Sequence, residues 1–126
     1  DYLWTPWRYH YVTTPGEAGG CVFCAAISSK DDRPPLVVHR AARNLVILNR
    51  FPYTNGHVMV VPHQHAATLT DVADDTLAEM IGLAKLTERH LRTLYHPDGI
   101  NLGMNLGHSA GAGIASHLHL HVLPRW

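Results

Sequence analysis

The sequence predicts an α+β domain: a mainly antiparallel sheet with one long helix and one short helix on one face. Three observations carry that expectation. Short apolar runs suited to strands lie at 36–39, 44–48, 57–61, 100–106 and 117–123. One long helical pattern, at 74–95, separates the first three runs from the last two. The links between neighbouring runs are mostly too short for the crossovers that parallel strands need. A chain of 126 residues is long enough for one core and too short for two.

In chain order, residues 1–20 combine proline and paired-glycine breaks with Tyr2, Trp4, Trp7, Tyr9 and Tyr11. They read as an extended amino-terminal arm laid against a body at 21–126. Residues 22–28 are apolar over about two helical turns and end in a polar run and the Pro34-Pro35 break. Strands are expected at 36–39 and 44–48, and Asn55-Gly56 supplies a turn before the third. The 57–61 run is apolar after its first residue, as in a strand covered on both faces, and Pro62 closes it. Asp74 and Asp75 open the long helix at the positive end of its dipole. Leu77, Ile81, Ala84, Leu91 and Leu94 supply its stripe, with Leu83 and Leu86 off that stripe as a second apolar face. About 22 residues at 1.5 Å each give roughly 33 Å, enough to cross the domain. Pro97-Asp98-Gly99 ends it. A strand at 100–106, a glycine-rich turn at 107–113 and a last strand at 117–123, closed by Pro124, complete the chain.

Composition narrows the function. Ten Lys+Arg balance ten Asp+Glu, so no basic surplus exists to neutralise a nucleic-acid backbone. No apolar run is long enough to span a membrane, and no signal-peptide pattern stands at the start. Two cysteines do not make a disulfide framework, and a cytoplasmic protein is expected. Eleven histidines are the outlying count. Histidine binds metals, acts as a nucleophile and titrates near neutrality.

Their spacing matters more than their number. In His117-Leu118-His119-Leu120-His121-Val122-Leu123 the imidazoles alternate with apolar residues. On a strand, the leucines and Val122 face one way, into a core, and the three histidines face the other. A half-exposed edge strand and a pure metal site are the plainer readings of that pattern.

The His-apolar-His-apolar-His-apolar-apolar pattern resembles the histidine triad family of nucleotide-binding proteins at every position. Asn55-Gly56-His57-Val58-Met59-Val60-Val61-Pro62 is similar to that family's Gly-His-apolar strand. Asn49, eight residues before His57, stands where a ribose-contacting Asn does. The Trp4-Thr5-Pro6-Trp7-Arg8 opening and the Val122-Leu123-Pro124-Arg125-Trp126 end resemble the bacterial dinucleoside tetraphosphate phosphorylase branch.

The resemblance implies the histidine triad fold and an enzyme that cleaves dinucleoside polyphosphates. His119 is then the nucleophile at an α-phosphorus, with His121 and His57 as its catalytic partners. A neutral imidazole is nucleophilic at pH 7 without a special base. The nucleotide contacts it implies are Asn49, His57, Asn105, Gly111, Gly113, His119 and His121. The 107–113 turn offers backbone N–H groups to phosphate, or is a plain hairpin connection. One departure bears on the reaction. Hydrolytic members usually carry Gln four residues before the first triad histidine, and here that place is Gly113. Loss of the amide favours resolution by inorganic phosphate over water. Hydrolysis of the same substrates or of nucleoside phosphoramidates is the runner-up, and a catalytically weak AMP-binding module is the rival from another class. Mg²⁺ or a similar ion is expected to arrive with the substrate. Arg8 and Arg125 are further candidates for phosphate contact. The resemblance also implies a homodimer or higher homo-oligomer, paired through the long helix and a sheet edge.

Cys21-Val22-Phe23-Cys24 reads as a redox dithiol, a strained local disulfide, or half of a tetrahedral zinc site. The resemblance supplies the other half: His65 and His117, with His63 as the competitor for the third ligand. The expected cofactor is therefore a structural Zn²⁺ on Cys21, Cys24, His65 and His117.

Overall fold

The computed structural model describes residues 21–29, 36–49 and 55–126. The expected arm at 1–20, with Arg8, the Pro34-Pro35 break and residues 50–54 lie outside the described residues. The elements run α1 (Val22–Ser28), β1 (Val37–Arg40), β2 (Asn44–Leu48), β3 (Val58–Pro62), α2 (Asp74–Tyr95), β4 (Gly99–Gly103) and β5 (Leu120–Arg125). Short 3₁₀ turns at Leu69–Asp71 and His108–Ala110 lie between them. The five strands form one sheet in the order β1-β2-β3-β5-β4, and every neighbouring pair is antiparallel. The α+β class and the antiparallel sheet are as the sequence predicts.

The first three strands form a meander. The chain then crosses the sheet through α2, adds β4 at the far edge and inserts β5 between β3 and β4. That insertion puts the histidine strand in the interior of the sheet, where both edges hold it. Gly56 makes the tight entry to β3 possible. Its φ is +81°, and a Cβ there would meet Leu91, Pro124 and Tyr95 side chains at 3.2 Å.

Strand alternation builds two cores. Val46, Val58, Val60, Leu118, Leu120 and Val122 face α2, whose Met80, Ala84 and Leu91 cover them. Leu45, Ile47, Met59 and Val61 face the other way, and Phe23 of α1 covers those. The two helices thus lie on opposite faces, which corrects the expectation that they share one. The reason is in the strands themselves: β2 and β3 are apolar at odd and even positions alike, so both faces need a cover.

The helical stripe also differs. The buried residues of α2 are Thr76, Met80, Ala84 and Leu91, with Leu77 and Leu83 packed partly against the core. Ile81 and Leu94 are 61% and 70% exposed, and Leu86 is exposed as well. Met80, not Ile81, continues the Thr76 and Ala84 row at i+4 spacing. Asn44, wholly buried, ties α2 to β2 by donating from Nδ2 to the Thr76 carbonyl at 3.0 Å and to Glu79 Oε1 at 2.9 Å.

The strand ends shift by a few residues. β4 stops at Gly103, and β5 begins at Leu120 and continues through Pro124. The β3 ladder ends at Val122, so Pro124 lies beside β4 alone, a position where a missing N–H is tolerated.

Candidate active site and metal centre

The second triad histidine is anchored by the first. His119 Nδ1 donates to the His117 carbonyl at 2.9 Å, which leaves the lone pair of that ring on Nε2. His119 is buried to 8% exposure yet lines a pocket with His121, Asn49, Asn105, Gly111 and Gly113. Phe23, Met59, Ala112 and Ile114 complete the lining. His121 pairs across the ladder with Met59, so both project from the same face of the sheet as His119.

His57 stands one layer deeper. It is 2% exposed, and its Nε2 lies 2.8 Å from His121 Nδ1. Asn49 Nδ2 sits 3.3 Å from His57 Nδ1, and the Asn49 N–H donates to the His57 carbonyl at 3.1 Å. Asn49, His57 and His121 therefore form one connected row. A proton on His57 Nε2 makes His121 Nδ1 the acceptor and leaves the His121 Nε2–H to face the pocket.

The turn before the triad is built on two glycines in unusual conformations: Gly107 has φ +90° and Gly111 φ +100°. The N–H groups of Ala110 and Ala112 both donate to the Gly107 carbonyl at 3.2 Å, which curls the turn. A Cβ on Gly111 would lie 3.8 Å from Asn105 Nδ2. Arg125 donates from Nε to Asn101 Oδ1 at 2.8 Å and is not among the pocket residues.

The four cysteine and histidine residues converge at one point. The ligand atoms of Cys21, Cys24, His65 and His117 all lie within 4.8 Å of one another. His65 Nδ1 and His117 Nδ1 are 3.2 Å apart; Cys21 Sγ is 3.3 Å from His117 Nδ1, and Cys24 Sγ is 3.2 Å from His65 Nδ1. A tetrahedral zinc with bonds of about 2.0–2.1 Å to nitrogen and 2.3 Å to sulfur has edges of roughly 3.3–3.8 Å. The donor set and its spacing fit that ion. The outer shell fits too: His117 Nε2 donates to the Pro62 carbonyl at 2.8 Å, so its Nδ1 lone pair points at the sulfurs. Burial, with help from His65, holds His117 below the usual imidazole range, against the Pro62 hydrogen bond, and so keeps it in the neutral form a metal takes. Burial and then the neighbouring Cys21 push the Cys24 thiol up, and a bound cation reverses that preference. His63 is not in the cluster.

The apolar lining is what sequence reasoning missed. Met59 was accessible to it, because alternation along β3 and its pairing with His121 place it on the histidine face. Phe23 was not, since it reaches the pocket only through the opposite-face packing of α1.

A family model for the HIT domain matches residues 30–126. An AP-4-A phosphorylase of Mycobacterium tuberculosis is 37% identical over 131 residues, covering 98% of this chain and 67% of that protein. A zinc-bound histidine triad family protein from Mycobacterium smegmatis superposes with a TM-score of 0.74 at 37% identity, over 85% of this chain and 76% of that one. A member of the HIT family from Bacillus subtilis gives a TM-score of 0.76 at 28% identity, over 85% and 74%. Taken with the triad pocket, these matches establish that the chain belongs to the HIT family and is an enzyme of its nucleotide hydrolase and transferase class.

Proposed function

We propose that this chain cleaves dinucleoside polyphosphates such as diadenosine tetraphosphate by phosphorolysis, through a covalent nucleotidyl-His119 intermediate. The hydrogen bond from His119 Nδ1 to the His117 carbonyl carries this reading, because it makes Nε2 the nucleophilic nitrogen. The Nε2 lone pair attacks the α-phosphorus, a P–N bond forms, and the P–O bond to the departing polyphosphate breaks. An oxygen of inorganic phosphate then attacks the same phosphorus and breaks the P–N bond, which releases a nucleoside diphosphate and restores the imidazole.

In this reading His121 Nε2–H balances charge on the nonbridging oxygens, and His57, 2.8 Å from His121 Nδ1, orients it. Asn49 contacts the ribose, while Asn105, Gly111 and Gly113 border the phosphates. Gly113 in place of an amide supports phosphate as acceptor, as does the 37% identity to a protein named AP-4-A phosphorylase. The chain has no net charge to spend on a polyanion, so Mg²⁺ carried on the substrate supplies the remaining balance.

Zinc is the ion that best suits Cys21, Cys24, His65 and His117. When bound, it supplies a structural clip and no chemistry at phosphorus. Its thiolate ligands suit the reducing cytoplasm. Exposed Ile81 and Leu94 on α2, with Leu102 on the edge strand β4, support a homodimer.

Incubation with diadenosine tetraphosphate, with and without inorganic phosphate, tests the reaction. Phosphorolysis yields ADP and ATP only when phosphate is present. AMP and ATP in its absence, at an undiminished rate, indicate hydrolysis instead.

A further inference from the structure

Phe23 stands between the two cysteines of the metal centre and is the one buried residue of α1. Its ring centroid lies 4.8 Å from that of His119, at 51°, and 5.5 Å from that of His117, at 67°. One side chain thus touches a metal ligand, the proposed nucleophile and the pocket wall. The helix that carries it is weak by itself. It has seven residues, no side-chain cap at its start, and Cys21 as its N-cap residue. Helices that short do not persist without tertiary ties. Phe23 packs among Leu45, Ile47, Met59 and Val61, with Ala26 and Ile27 against the same cluster, and polar ties are added at each end. The Arg40 guanidinium donates to the Ala26 and Ile27 carbonyls at 3.1 and 3.2 Å, which fastens the carboxyl-terminal end. At the amino-terminal end, the Cys21 and Cys24 sulfurs beside His65 and His117 add to the core packing of Phe23.

We infer that Phe23 is a positioning residue whose place against the His119 imidazole is set by the metal centre, so that metal occupancy controls how firmly the nucleophile is held and shielded. The inference rests on the metal reading above and needs no substrate. Coordination fixes the two sulfurs three residues apart, and the side chain between them has one direction to take. Its ring then limits rotation of the His119 imidazole and keeps water from one of its faces. Without the metal, the amino-terminal half of α1 is released while Arg40 still holds the other half, and His119 becomes accessible. The hydrogen bond from His119 to the His117 carbonyl is made to backbone and survives that release.

The test is carbethoxylation of His119 by diethyl pyrocarbonate, located by peptide mass in the full chain, with bound zinc counted by native mass spectrometry. Removal of zinc by a chelator is expected to speed modification of His119 about tenfold, as local opening does for a shielded group. Amide protection of β3 and β5 reports whether the sheet stays folded. Phe23→Ala with zinc retained should react about as fast as the metal-free protein, and Phe23→Leu should fall between it and the parent. Should chelation unfold the sheet, His65→Ala, which removes a metal ligand outside α1, replaces it and is expected to react faster than the parent, an equal rate overturning the inference. Equal rates in the three zinc-loaded proteins overturn the inference and leave the phosphorolysis reading intact. A chain purified without zinc overturns the metal reading and this inference together.

Discussion

The 2.9 Å hydrogen bond from His119 to the His117 carbonyl decides which imidazole nitrogen is basic, and the catalytic account hangs on it. Replacing His119 with Asn removes the proposed nucleophile while keeping a small polar side chain. Turnover is expected to fall by about 10³-fold or more, while nucleotide affinity measured by calorimetry changes little. Retained turnover would sink the assignment. A second residue-scale prediction concerns Glu79. The Asn44 amide, then the backbone N–H groups of Arg43 and Asn44, hold its carboxyl below the usual range. Such a group stabilises the fold above the unfolded Glu value, near 4.3, and that contribution is lost as pH falls through the lower folded value. Glu79→Gln should therefore lower stability at pH 7 and flatten its decline as pH falls below the ordinary glutamate range in urea titrations. An unchanged slope contradicts the role. The alternation of the triad histidines and the close spacing of the cysteine pair were legible in the sequence because they are local properties, whereas Asn49 was singled out only by the resemblance to the histidine triad family. The depth of His57 was not, because it depends on how β3 and β5 register.

At the scale of elements, α2 and the turn before β3 show where local pattern stops being sufficient. The existence and extent of the helix were readable from its acidic start and its Pro97-Asp98-Gly99 stop. Which residues it buries was not, because Ile81 and Met80 are adjacent and only contact with β3 and β5 chooses between them. The helix ends on His96, a non-glycine residue with φ 49°. His96→Gly relieves that left-handed conformation and is expected to stabilise the protein by about 1 kcal/mol, seen as a rise of a few degrees in Tm. Gly56→Ala should do the reverse. It adds a Cβ at φ +81° against three side chains at 3.2 Å and should cost about 1–2 kcal/mol or more in denaturant unfolding. A neutral result would mean that the turn can relax without disturbing Leu91, Tyr95 and Pro124.

At the scale of the whole molecule, the described residues form a sheet covered by a different device on each face. On one side α2 buries a continuous apolar core. On the other, a seven-residue helix, a cysteine-histidine centre and the pocket lined by His119 and His121 share the surface. The antiparallel sheet was legible from strand spacing, but the two-sided cover was not, since it follows from β2 and β3 being apolar on both faces. If Ile81, Leu94 and Leu102 form the dimer contact, Leu94→Glu combined with Leu102→Lys should convert the assembly to monomers in sedimentation equilibrium. A parent chain that is already monomeric at micromolar concentration contradicts the dimer. The central claim, that His119 carries the nucleotidyl group, has a direct measurement in peptide mass spectrometry. The protein is mixed with diadenosine tetraphosphate in the absence of phosphate and quenched within one turnover. The account predicts an adenylyl group on the peptide that contains His119, its disappearance on adding phosphate with release of ADP, and its absence in His119→Asn. Turnover to ADP and ATP with no adenylylated peptide at any quench time would contradict it.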